Sequence, residues 1–175
     1  MPDPAMSAAL AEAYASAPVD QVIHHTLELW HPAFSAPIRV VRDFSAIDAR
    51  IEAGAARNPG EVVTFTGYAF DVVPPDQVAS GLPQCTIEID NVSREITLQI
   101  DAAVATTDPI TVIYRSYLSD ALLDGPEIDP PVELTITTIS ATPFRIKAAA
   151  GFPDLLNLKF PKREYDLETF PGLQP

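Results

Sequence analysis

One cysteine, Cys85, is all that the 175-residue chain contains, so no disulfide can form within it. Cys85 stands in an alternating apolar run with Ile87 and Ile89, where a thiol acts as a small buried hydrophobe rather than as a nucleophile. Glycine is scarce as well: seven are scattered along the chain. They form no phosphate-cradling Gly-rich loop, and no serine sits in a G-x-S-x-G elbow. Basic residues are few, 11 Lys and Arg against 24 Asp and Glu, for a formal net charge of −13. Nucleic-acid binding by phosphate neutralisation needs clustered Lys and Arg, and a membrane-surface patch needs the same; both are excluded. No apolar run reaches the ~18 residues of a membrane span. The N-terminus shows no basic region followed by an apolar one, so no signal peptide is expected. These absences fit folding in a reducing cytoplasm.

What the chain does have is 47% hydrophobic residues and 18 prolines. The length suits one well-buried domain. The prolines fall mainly between the apolar runs, which favours a β-rich domain with irregular connections over a helix bundle.

Ser7 is a candidate N-cap for a short helix from Ala8 to Ala17, with Leu10 and Tyr14 four apart on one face. The helix is too short to persist alone and must dock on the body or on a partner. Strand patterns follow at Val22–His31, Ile38–Phe44, Val62–Val73, Cys85–Asp90, Ile110–Leu118, Val132–Ser140 and Phe144–Ala150. In the first of these, His25, Leu27 and Leu29 share one face, and His24, Thr26, Glu28 and Trp30 share the other. Ser45-x-x-Asp48, with Ile47 and Ile51 four apart, predicts a short helix ending near Gly54. Residues 91–103 satisfy both helical spacing and strand alternation; Asp90 as N-cap favours helix. The expected fold is mainly β, a sandwich or barrel of about seven strands with one or two short helices.

No chemistry assembles from these residues. His24 and His25 would face opposite sides of a strand, which argues against joint metal ligation with His31. Asp124, Glu127 and Asp129 lie in a Pro-containing loop without EF-hand spacing. The acidic residues carry no glycosidase signature. No enzyme, cofactor or metal is expected. Trp30, Tyr68, Tyr114 and Tyr117 are the aromatics that a carbohydrate- or receptor-binding face would use.

The last segment carries Phe-Pro three times, at Phe152-Pro153, Phe160-Pro161 and Phe170-Pro171. Proline cannot sit inside a helix or central strand and pushes the preceding residue toward extension. Residues 151–175 therefore read as an extended arm with apolar anchors, residues 19–150 as the β-rich domain and residues 1–18 as an N-terminal helical arm. The Phe anchors must bury against their own domain or a neighbouring subunit. Phe152, closest to the last strand, is expected to pack within its own subunit.

Three phrases carry a resemblance. Thr26-Leu27-Glu28-Leu29-Trp30-His31-Pro32 with Ile38–Asp43, the central Ile87–Ile96, and the ending Phe160-Pro161…Tyr165…Phe170-Pro171-Gly172-Leu173 are similar to a family of siphophage and prophage minor tail proteins. The resemblance implies a tail-tip role like that of a distal tail protein: a ring, commonly hexameric, between the tail tube and the central hub. It implies a β-sandwich or barrel related to tail-tube domains, location in the virion after assembly in the bacterial cytoplasm, and no catalytic residues. The alternative is a receptor- or carbohydrate-binding β-sandwich of the tail tip. In the ring reading, Leu10, Tyr14, Phe160, Tyr165, Phe170 and Leu173 are the expected subunit-interface residues. Phe160 and Phe170 are the main anchors of an assembly strap. A carboxylate-rich lumen would repel DNA passing through it.

Overall fold

The computed structural model describes residues 6–18, 20–73, 84–90, 94–104, 106, 108–142 and 145–152. The chain is mainly β, as its alternating runs require. Among the described residues, nine strands and two short helices follow the order α1 (Ala8–Ser16), β1 (Ile23–Trp30), β2 (Ile38–Val41), β3 (Ile47–Arg50), β4 (Val62–Gly67), β5 (Phe70–Val73), β6 (Gln84–Asp90), α2 (Arg94–Val104), β7 (Thr111–Leu118), β8 (Val132–Ala141) and β9 (Arg145–Gly151).

The hydrogen-bonded strand order is β3-β4-β2-β1-β7-β8-β9-β6-β5. β4, second from one edge, and β5, at the other edge, are consecutive in the chain. β4 runs parallel to β2, pairing Thr66 with Val40 and Gly67 with Val41. β5 runs antiparallel to β6, pairing Phe70 with Ile89. The two residues between them tie both sides together: Tyr68 N–H donates to Val41 O (2.9 Å), and Ala69 O accepts from Asp90 N–H (2.8 Å). The segment 62–73 thus bridges the β2 and β6 sides of the open sheet, which curls into a barrel-like form.

One apolar cluster fills the barrel. Leu27 and Leu29 come from β1, Ile38 and Val40 from β2, Phe70 from β5, Cys85, Ile87 and Ile89 from β6, Val112 from β7, Leu134 and Ile136 from β8, and Ile146, Ala148 and Ala150 from β9. The period of two is what pleated strands with one buried face demand. Helix α2 adds Ile100 and Ala103 to the same cluster. Its C-terminal side meets the end of β1: the Thr106 hydroxyl lies 3.0 Å from His31 Nε2. His31 Nδ1 accepts from Ala33 N–H (3.0 Å) while Nε2 lies 3.1 Å from the Asp108 carbonyl, so the ring proton sits on Nε2. His31 is fully buried structure.

Two smaller cores accompany this cluster. The β3–β4 hairpin folds over the outer side of β1 and β7, burying Val41, Ala49, Ile51, Phe65 and Tyr117 together. Helix α1 packs Leu10 and Ala13 on Leu118 of β7. Ser7 caps it as expected, accepting from Leu10 N–H (3.0 Å). The Ser7 hydroxyl also donates to the Glu127 carboxylate, and Ser7 N–H donates to the Glu127 carbonyl (2.9 Å). The N-terminal helix is therefore docked on its own body.

Several expectations are corrected. The stretch read as a helix after Ser45 is strand β3, paired with β4 from Ile47–Phe65 to Arg50–Val62. Asp48 accepts from Thr64 Oγ1 across the pair (2.6 Å), and the turn before it is capped by Asp43, whose Oδ1 accepts from Phe44 and Ser45 N–H. The run 62–73 is two strands because its halves pair with opposite sides of the barrel. These two changes raise the strand number from about seven to nine. Residues 94–104 are helical as expected, but Asp90 ends β6 and its carboxylate binds Arg145. Phe44, expected to end β2, stands in the loop after it.

Candidate assembly interface

On β1 and β7 the outward positions hold charge under the hairpin. Glu28 and Arg115 are almost fully buried. Glu28 receives Arg39 Nε (3.2 Å), Arg57 Nε (3.3 Å) and Arg115 Nη1 (3.3 Å). Arg115 also grips Glu52 with Nε and Nη2. Burial pushes the Glu52 carboxyl up, but the Arg115 hydrogen bonds outweigh it and hold the group below the ordinary carboxylate range. Arg57 stacks its guanidinium 4.5 Å from the Trp30 ring centroid. This network pins segment 52–58 to the barrel. Its donors and acceptors are turned onto one another.

The end of the barrel lined by His25 is different. There an apolar cavity of about 330 Å³ opens between strands, lined by Leu27, Phe70, Cys85, Leu134, Tyr114 and Phe152 among others. Among the described residues, none from α2 lines it. His25 Nδ1 lies 2.7 Å from the Tyr114 hydroxyl. Burial first, then the charge of Arg42 and the neighbouring His24, push the His25 imidazole below its ordinary value, so it stays neutral at pH 7. Burial first, and then the adjacent Tyr14 hydroxyl, push Tyr114 upward. Tyr14, exposed on α1, therefore lies beside Tyr114, one of the lining residues. Burial likewise raises the Cys85 thiol, which opposes thiolate chemistry.

The expected interface residues fall into three groups. Leu10 is completely covered by its own chain, whereas Tyr14 is 51% exposed. Phe160, Tyr165, Phe170 and Leu173 lie outside the described residues. Phe152 lines the mouth but is 54% exposed, so its own subunit covers it only in part. Phe44 was missed as a candidate. It is fully exposed, on a loop held by Asp43 and seated against Gly67. The apolar run hid it, since Phe44 reads there as a strand residue.

The aromatics considered for sugar binding are mostly engaged. Tyr117 is buried with its hydroxyl on the Arg50 carbonyl (3.1 Å). Arg57 covers Trp30, and Tyr68 packs on the barrel core. His24 Nδ1 approaches Asp43 Oδ2 at 3.3 Å without hydrogen-bond alignment. Among the described residues, no group of three or more His, Cys, Asp or Glu is placed to hold a metal ion.

Fold and site together define a mainly-β barrel domain with a docked N-terminal helix and an apolar, aromatic-rimmed mouth. Residues 9–165 match the DUF1833 family, described as a domain of unknown function. The match spans most of the chain, which belongs to that family. No curated protein matches it.

Proposed function

We propose that the chain is a structural subunit of a siphophage tail tip, a ring component that links the tail tube to the central hub. It acts in the virion after assembly in the host cytoplasm, without catalysis and without a cofactor. Its partners are further copies of itself, with six the favoured number, the tail-tube protein and the hub.

The observation that carries this reading is the barrel mouth. A 330 Å³ apolar cavity is flanked by Tyr14 and Phe152, each about half exposed. Large exposed apolar groups around a concave apolar surface mark a protein interface. The mainly-β, barrel-like sheet with two short helices is compatible with the fold class that the family resemblance implies. The net charge of −13 suits a ring that passes DNA without holding it.

Native mass spectrometry tests the reading, on the chain alone and mixed with tube and hub proteins. Ring masses in either setting are expected. A strict monomer in both would overturn it.

A further inference from the structure

Three ring side chains form a hydrogen-bonded series from helix α1 into the β1–β7 pair. The Tyr14 hydroxyl bonds to that of Tyr114, and the Tyr114 hydroxyl lies 2.7 Å from His25 Nδ1. The His25 and Tyr114 rings stack at 6.0 Å and 20°. Helix α1 rests on the same end of these strands. Leu10 and Ala13 pack on Leu118, with Ile23 against them, and Ile23 faces Leu118 in the strand register. The next pair on that face is His25 with Ser116. The Ser116 hydroxyl is buried without a hydrogen-bond partner among the described residues.

His25 is poorly placed to carry charge. Arg42, which follows β2, donates its N–H to the His25 carbonyl (2.9 Å) and opposes a second positive charge there. His24 is its neighbour in β1. Tyr114 of β7 and Tyr14 of α1 complete the hydrogen-bonded series, and Cys85 of β6 lines the same cavity. The nearest carboxylate, Asp71 of β5, is mostly in solvent and engaged by Arg42 at 3.6 Å. With the ring proton on Nε2, Nδ1 accepts from Tyr114, which accepts from Tyr14. Protonation makes Nδ1 a donor. Tyr114 must then turn its proton toward Tyr14, and Tyr14 must give up its own donation. The proton taken up on β1 is thus felt on α1.

We propose that α1 is an acid-released flap: a proton on His25 favours a state in which the helix lifts from the β1–β7 end and lets water reach the imidazole. The same water would give the Ser116 hydroxyl a partner. The device belongs to a single chain and holds whatever its assembly. Helix α1 is the element suited to move. At nine residues it does not persist alone. Its buried apolar anchors are two side chains, Leu10 and Ala13. It ends at Ala17, in the left-handed region at φ 43°, directly before Pro18. The sign follows from linkage. Opening hydrates His25 and returns its titration toward 6.5, so the open state binds the proton more tightly and is favoured as pH falls through that value. By reciprocity, loosening the helix must raise the His25 midpoint.

Hydrogen exchange of the full chain, read by mass spectrometry at pH 7.5 and 5.5 and corrected for intrinsic rates, tests the flap. Peptides covering residues 8–16 should exchange roughly three- to tenfold faster at pH 5.5 while β8 and β9 keep their protection. His25→Gln should remove that response. In Tyr14→Ala, water reaches Tyr114 with the helix still docked, so the His25 midpoint seen by NMR should rise toward 6.5. An acid response that persists in His25→Gln would overturn the proposal and assign the sensor to the Ser7–Glu127 contact. Exchange rising equally in every segment would overturn it in favour of global destabilisation. A His25 midpoint unmoved in Tyr14→Ala would break the link between helix and imidazole, and this titration decides the matter alone if His25→Gln does not fold.

Discussion

Arg115 holds Glu52 through two hydrogen bonds, Nε to Oε2 at 2.7 Å and Nη2 to Oε1 at 2.9 Å. The pair joins β7 of the barrel to the segment that follows β3. Both charges are largely withdrawn from water, the Arg115 side chain 1% and the Glu52 side chain 13% exposed. Such a pair secures position more than it adds net stability, but breaking it strands the surviving charge.

Glu52→Ala should therefore destabilise the fold by about 2–3 kcal/mol, below the ~3–5 kcal/mol of a fully buried pair because Glu28 still faces Arg115. Urea denaturation followed by circular dichroism reads this directly. The pH dependence carries a sign. The folded-state Glu52 lies below its ordinary value of 4.5, so as pH falls the unfolded chain takes up the proton first. The stabilisation is complete above that value and disappears as pH falls through the folded one. Glu52→Gln should flatten the stability profile below about pH 4.5. An unchanged acid limb would show that the pair contributes nothing there.

His25 predicts a second, separate pH window. Its imidazole is pushed below 6.5 in the folded chain, so on acidification the unfolded chain protonates first and stability falls from about pH 6.5 downward. Melting temperatures at pH 7.5 and 5.5 should differ in the native chain. The difference should shrink in His25→Gln, which keeps a polar partner for Tyr114 and removes the titration. Equal differences in the two proteins would count against His25 as the source.

How far the fold was legible follows from where each residue's information lies. Ile87 and Ile89 face the barrel interior because alternation is a property of the strand itself. Ser7 caps α1 because capping is local. Residues 47–50 failed for the opposite reason. Ile47 and Ile51 have helical spacing, and only pairing with β4, which lies beyond a distant turn, makes that segment a strand. The break at Tyr68-Ala69 was equally hidden, since it exists to serve β2 and β6 at once. For the candidate interface, Tyr14 was legible only as sharing a helix face with Leu10, and the two part in exposure. The mouth was not, because His25, Cys85 and Tyr114 converge only when the sheet curls.

Gly67 makes the third prediction. A Cβ there would meet Asp43 O at 2.8 Å and the Phe44 carbonyl carbon at 3.0 Å. Both are backbone atoms, so no side chain can swing aside. Gly67→Ala should cost about 1–3 kcal/mol through the forced shift of the Asp43–Ser45 turn. The same variant should weaken any contact made by Phe44, since the turn that presents it moves. Thermal melts measure the first effect and association by light scattering the second. A melt indistinguishable from native would show that the turn gives way freely.

Leu10 and Tyr14 lie one helical turn apart and make opposite predictions. Leu10 is fully buried against Ala13 and Leu118, so Leu10→Ala removes core atoms and leaves a gap, at about 2–5 kcal/mol. Tyr14 is 51% exposed beside Tyr114 of the barrel mouth, so Tyr14→Ala should change monomer stability by under ~1 kcal/mol. If the rim is a subunit contact, the order reverses in assembly. Tyr14→Ala should weaken oligomers, by the ~1–2 kcal/mol or more that a buried aromatic contributes at a contact centre, while its melt stays near native. Light scattering over a concentration series, paired with denaturation of both variants, separates the two roles. Should Tyr14→Ala assemble as the native chain does, the rim loses its claim as an interface, and α1 is left as a purely internal brace.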